Sequence, residues 1–115
     1  MPLTDNQSRE RIRELNDAFR KTLDPTLGQI MLTAGVDALP SDVRAMAIRS
    51  VATFDAFDAD NDPHGERDFG SFDLAGQKFF FKIDYYDPNL EFGSSDPADS
   101  AKTMRVLTLM FAMEY

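Results

Sequence analysis

Nine residues near the middle of the chain limit the fold most. Positions 78–86 read KFFFKIDYY. In an extended chain Phe79, Phe81, Ile83 and Tyr85 share one side, and Phe80, Lys82, Asp84 and Tyr86 share the other. The first set is a core face that needs a covering layer. The second mixes aromatic and charged groups, so it faces something other than a plain core. Just upstream, Ala75-Gly76 suits a tight turn, because glycine tolerates positive φ. Positions 69–74 form the preceding strand, with Phe72 and Leu74 on one face. A β-hairpin is therefore the centre of the fold.

The flanking segments read as helices and short strands. Thr4 and Gln7 have the spacing of a capping box. Ile12, Leu15 and Phe19 then recur at three- and four-residue steps, which predicts a helix over 5–23 that stops at Asp24-Pro25. Positions 29–33 are short, apolar and bounded by Gly28 and Gly35, which suits a strand. Pro40-Ser41-Asp42 starts a second helix with Ser41 as N-cap. Its stripe is Val43, Ala47, Val51 and Phe54, widened by Met46 and Ile48. Positions 54–68 form a long loop, and 90–92 a short return strand after the turn at Asp87-Pro88-Asn89.

Asp96, Pro97 and Asp99 resemble the start of a third helix. Met104, Leu107 and Phe111, with Met110 beside them, then form its stripe. Over 101–113 the apolar residues fall on more than one face, which predicts a buried helix and a possible homodimer contact through it. The expected order is α-β-α-β-β-(β)-α. This is a single α+β domain over 1–115, with helices on one side of a small, mainly antiparallel sheet of three or four strands.

Composition excludes several function classes. The 115 residues contain no cysteine, so thiolate chemistry, disulfides and Cys-ligated metals are out. One histidine excludes any site that needs two from a single chain. Net charge is −8, which opposes direct contact with nucleic acid or an anionic membrane. No apolar run approaches the length of a membrane span. The first five residues lack the basic and apolar regions of a signal peptide. These features predict a cytosolic protein.

The charge is concentrated. Positions 55–99 hold 12 acids and three bases, a balance of −9, and the remainder balances at +1. Within that block Asp58, Asp60 and Asp62 alternate ahead of Gly65, as in a calcium loop. The match fails in detail: Pro63 stands where a sixth-position glycine is needed, and Phe69 where the bidentate glutamate belongs. A looser divalent-cation site could draw on Asp62, His64, Glu66 and Asp68, or Asn61, Asp62 and Asp68 could simply cap turns through their own backbone. Lys82 and Asp84 are near enough to pair, and Tyr86 could move a proton or anchor a partner together with Phe80. The chain has no phosphate-binding glycine loop and no nucleophile elbow.

Four segments carry a resemblance: RIRELNDAFRKT, NDPHGERDFGSF, KIDYYDPNLEFGSSDPADS and VLTLMFAMEY. Together they resemble the bacterial proteins catalogued as domain of unknown function 3768, over residues 11–115. The resemblance implies an association with plasmids and integrative elements, and it supplies no activity. The family pattern has an aromatic residue in place of His64 and a histidine in place of Arg67, so no histidine-dependent role carries over.

The leading functional expectation is a binding protein. Carboxylates spaced along a surface can imitate a phosphate backbone and occupy a basic groove. With the implied mobile-element association, this predicts an inhibitor of a host DNA- or RNA-binding defence or regulatory protein. Asp55, Asp58, Asp60, Asp62, Glu66 and Asp68 would carry the charge. Phe80, Lys82, Asp84 and Tyr86 would carry the contact, with no cofactor. The alternative is a divalent-metal-assisted hydrolase that uses the acidic loop and the Lys82/Asp84/Tyr86 face.

Overall fold

The computed structural model describes residues 3–115. Helix α1 spans Asp5–Thr22, strand β1 Gly28–Leu32, the short helix α2 Ala34–Asp37 and helix α3 Ser41–Thr53. Strands β2 (Phe69–Leu74) and β3 (Gln77–Tyr86) form the hairpin, and strand β4 covers Met104–Phe111. The strands lie in the order β1-β4-β3-β2. β2–β3 and β3–β4 are antiparallel, whereas β1–β4 is parallel. The fold is α+β with a mixed sheet.

α1 begins as its sequence dictates. The Thr4 hydroxyl oxygen accepts from the Gln7 amide at 3.1 Å, and the Gln7 side chain accepts from the Thr4 amide at 2.9 Å. Leu23 closes the helix in the left-handed region at φ 52°. The buried stripe is Ile12, Leu15, Asn16, Phe19 and Arg20, so two polar residues join the expected apolar ones. α3 buries Ala47 and Val51, while Met46 faces solvent. Pro40, not Ser41, occupies the cap position, and no side chain caps this end.

The largest departure from the sequence reading is at the C-terminal end. The expected helix over 101–113 is instead β4, preceded by one 3-10 turn at Ser100–Lys102 that Asp99 caps. Arg105, Leu107 and Leu109 point into the core beside Ile83 and Phe81, while Val106 and Met110 are buried on the opposite face. A strand flanked on both sides, with Val106 and Met110 screened by neighbouring side chains on the helix-free face as well, is apolar almost throughout, so its periodicity of two disappears. The C-terminal helix through which a homodimer contact was expected is absent, since that segment is an inner strand. The return strand expected at 90–92 reduces to one bridge between Tyr86 and Gly93.

The core lies between one sheet face and the helices. Phe19, Val36, Ala47, Val51, Phe79, Phe81, Ile83, Leu107 and Leu109 form one buried cluster. No helix among the described residues is long and apolar enough to cross a membrane.

Candidate functional site

The sheet face turned away from the helices has no helix over it, and its register determines what it displays. Phe69 stands opposite Lys82, Phe80 opposite Met110, Lys82 opposite Thr108 and Asp84 opposite Val106. β1 adds Gln29 opposite Val106 and Met31 opposite Thr108. Directly opposed residues project to the same side. All four residues expected on the outer face of β3 therefore lie together on it.

One end of this face is a shallow concavity of about 330 Å³, lined by Met31, Lys82, Asp84, Tyr86, Leu90 and Val106, among others. Met31 is 55% exposed, Leu90 41% and Tyr86 36%. Lys82 Nζ lies 3.0 Å from Asp84 Oδ2, with both side chains 40% exposed. An ion pair this wet contributes under about 1 kcal/mol. The hydrogen bond to Asp84 holds the Lys82 ammonium above its ordinary pKa, so the lysine is a fixed charge and not a proton acceptor at neutral pH.

The other end is aromatic. Phe69 and Phe80 lie 5.2 Å apart, and Tyr115 packs edge-on to Phe80 at 5.6 Å. Glu114 anchors this tail by accepting from the Thr33 hydroxyl at 2.7 Å, the Phe111 amide at 2.9 Å and the Gly35 amide at 3.1 Å. The Thr33 bond is the main reason its carboxyl titrates below the usual range.

The acidic loop lies on the helix side, not on this face. Phe57 packs against the core cluster and edge-on to Phe54 at 4.8 Å. The loop is internally ordered. Asp58 Oδ1 accepts from the amides of Asp60 (2.9 Å) and Asn61 (3.0 Å), and Asn61 donates to the Ala56 carbonyl at 3.0 Å. Asp62 accepts from the Arg67 amide at 2.9 Å, with Arg67 held at φ 56°. Asp58 and Asp62 are thus turn-forming carboxylates.

Glu66 and Asp68 turn inward. Glu66 accepts from the Tyr85 hydroxyl at 2.8 Å. Burial, then the nearby Glu66 charge, raises the Asp68 carboxyl above its ordinary value. Asp55 shares a cleft with Arg20, Lys21 and Arg67, and Asp62 and His64 share another with Arg9 and Arg13. The loop's charge is partly answered by arginines within the same chain. His64 is exposed. Among the described residues no three His, Asp or Glu side chains come together as a metal site requires.

A buried polar cluster beneath the loop was not expected from the sequence. Asn16 donates to the Glu66 carbonyl at 2.9 Å and the Tyr85 hydroxyl at 2.8 Å, and its Oδ1 accepts from Arg105 Nε at 2.7 Å. Arg105 also donates to the Pro97 carbonyl at 2.6 Å and lies over the Tyr85 ring. Burial lowers the Arg105 pKa and drives that of Tyr85 well up. With their polar atoms engaged in one another, these groups form a scaffold. The available signal was Asn16, a polar residue on the same helix face as Ile12 and Phe19.

The family described as "Protein of unknown function (DUF3768)" matches residues 32–114. The chain belongs to this family. The match covers β2, β3, β4 and the acidic loop, and therefore Glu66, Tyr85 and Arg105 of the polar cluster. Asn16 and the rest of α1 lie before it. No curated protein and no solved structure matches the chain.

Proposed function

We propose that this DUF3768 protein is a binding module that engages a basic protein partner through the open face of its sheet. The carrying observation is the composition of that face. Exposed apolar groups (Met31, Tyr86, Leu90) and the aromatic Phe80 surround the Lys82–Asp84 pair on a rigid four-stranded platform. Aromatic anchors beside oriented charges on a rigid surface are what a protein interface needs, because little entropy is lost on docking. Asp84 on this face, and Asp87 and Glu91 flanking Leu90, give it a negative surround. The partner of matching chemistry is a cytosolic protein with a basic groove. A host nucleic-acid-binding defence or regulatory protein fits, in keeping with the mobile-element association that the resemblance implies. Asp55, Asp58 and Asp60, exposed on the acidic loop, then act at longer range by speeding encounter.

The test is capture from nuclease-treated host lysate at low and high salt, with wild type, Met31→Ala/Tyr86→Ala and Asp55→Asn/Asp60→Asn run in parallel. The expected result is a partner lost with the sheet-face variant and weakened only modestly by the loop variant. Equal capture by the sheet-face variant would overturn the proposal.

A further inference from the structure

We infer that β1 is a self-pairing edge through which two copies of this chain join into one continuous eight-stranded sheet. The backbone identifies the free groups. The Arg105 amide donates to the Leu27 carbonyl, and the Thr33 amide to the Leu109 carbonyl. With the parallel register Gly28↔Arg105 to Leu32↔Leu109, the odd-numbered residues of β1 bond to β4. The amides and carbonyls of Ile30 and Leu32 therefore point outward, and no described residue bonds to them. An edge of this kind is a template for another strand unless something blunts it.

Among the described residues nothing blunts this one. No charged residue and no proline lies between Pro25 and Asp37. The side chains along it are β-compatible, and Met31 is 55% exposed. The opposite edge differs. β2 points the backbone of Ser71 and Asp73 outward, with the exposed Asp73 carboxylate along it, and it follows directly on the acidic loop.

The uncharged run 26–36 lets two copies meet along β1 without charged side chains in the seam, whereas pairing along β2 would bring the exposed Asp73 carboxylates into it. With a net charge of −8, two copies repel unless their acidic regions stay apart. β1 and β2 are the two ends of the order β1-β4-β3-β2. An antiparallel β1–β1 pair about a twofold axis near Ile30 puts both β2 strands, each of which follows directly on its acidic loop, at the far ends of the joint sheet. It also lets each copy supply the donors and acceptors that the other lacks. The two open faces then become one, independently of what binds there.

Sedimentation or light scattering over a dilution series tests this, with wild type beside Gln29→Lys/Met31→Lys. Both substituted positions are exposed on the open face, and lysines opposed across the axis repel. Wild type is expected at twice the 13.0 kDa chain mass, dissociating on dilution, with the variant at the chain mass. Hydrogen exchange on wild type gives a variant-free readout: the Ile30 and Leu32 amides exchange slowly in concentrated samples and fast when diluted. A wild-type monomer at all concentrations would overturn the inference. So would a dimer in which these two amides remain fast, because it would pair elsewhere.

Discussion

Arg105 Nε donates to Asn16 Oδ1 at 2.7 Å, joining the central strand to the first helix across 89 positions of sequence. Asn16 is fully buried and Arg105 is 1% exposed. The amide is the hub, since it also holds Tyr85 and the Glu66 carbonyl. Asn16→Ala leaves a buried guanidinium nitrogen and a carbonyl without partners. A loss of about 3 kcal/mol is expected. Urea unfolding checks this, with the exposed Asn6→Ala as a control that changes little.

Arg20 makes a similar bridge between the two long helices. Its guanidinium donates to the carbonyls of Val51 at 2.7 Å and Phe54 at 2.6 Å, capping the end of α3, and to Asp17 at 3.1 Å. A lysine cannot reproduce that fork. Arg20→Lys is expected to cost about 2 kcal/mol in the same unfolding measurement, by leaving buried carbonyls unpaired.

The burial of Asp68 sets the sign of one pH dependence of the fold. Burial raises its folded-state pKa above the ordinary 3.8, so the fold favours the protonated form. The resulting penalty is fully present above the folded-state value and disappears as pH falls through it towards 3.8. Asp68→Asn is therefore expected to melt higher than wild type at pH 7, with the difference vanishing on acidification. Paired melting curves from neutral to acid pH check it. A variant that melts lower at pH 7 would contradict the sign.

Gly28 allows β1 to approach β4. A Cβ there would lie 2.5 Å from the Arg105 carbonyl oxygen and 2.9 Å from the Phe19 ring. The carbonyl belongs to the ladder and cannot swing away. Gly28→Ala is expected to cost about 2 kcal/mol, with faster hydrogen exchange along β1 as the local signature.

The hairpin and first helix were legible because each buries one face, so its period survives in the residues: two for Phe79, Phe81 and Ile83, about 3.6 for Ile12, Leu15 and Phe19. β4 was not legible, since burial on both faces removes the alternation. Met104, Leu107 and Phe111 then happen to match helical spacing. Phe80, Lys82, Asp84 and Tyr86 share one face of β3, as their alternation indicated. The contributions of Met31 and Leu90 needed the sheet order. The acidic loop was read as one surface, but Asp58 and Asp62 close turns and Glu66 meets Tyr85. Pairing across 50 or more positions, as in Asn16–Glu66, leaves no local trace in a sequence.

Exchanging the charges of the outer pair separates stability from recognition. Lys82→Asp/Asp84→Lys keeps an ion pair at a half-exposed site, so stability should stay within about 0.5 kcal/mol of wild type. The polarity seen by a partner is reversed. Calorimetric titration with the captured partner should show at least a tenfold loss of affinity, about 1.4 kcal/mol.

Hydroxyl-radical footprinting of the partner complex tests the assignment of the open face most directly. Protection is expected at Met31, Phe80, Tyr86 and Leu90, with Pro63 and His64 on the acidic loop remaining as reactive as in the free protein. Protection confined to the loop, with Met31 and Tyr86 unchanged, would contradict it.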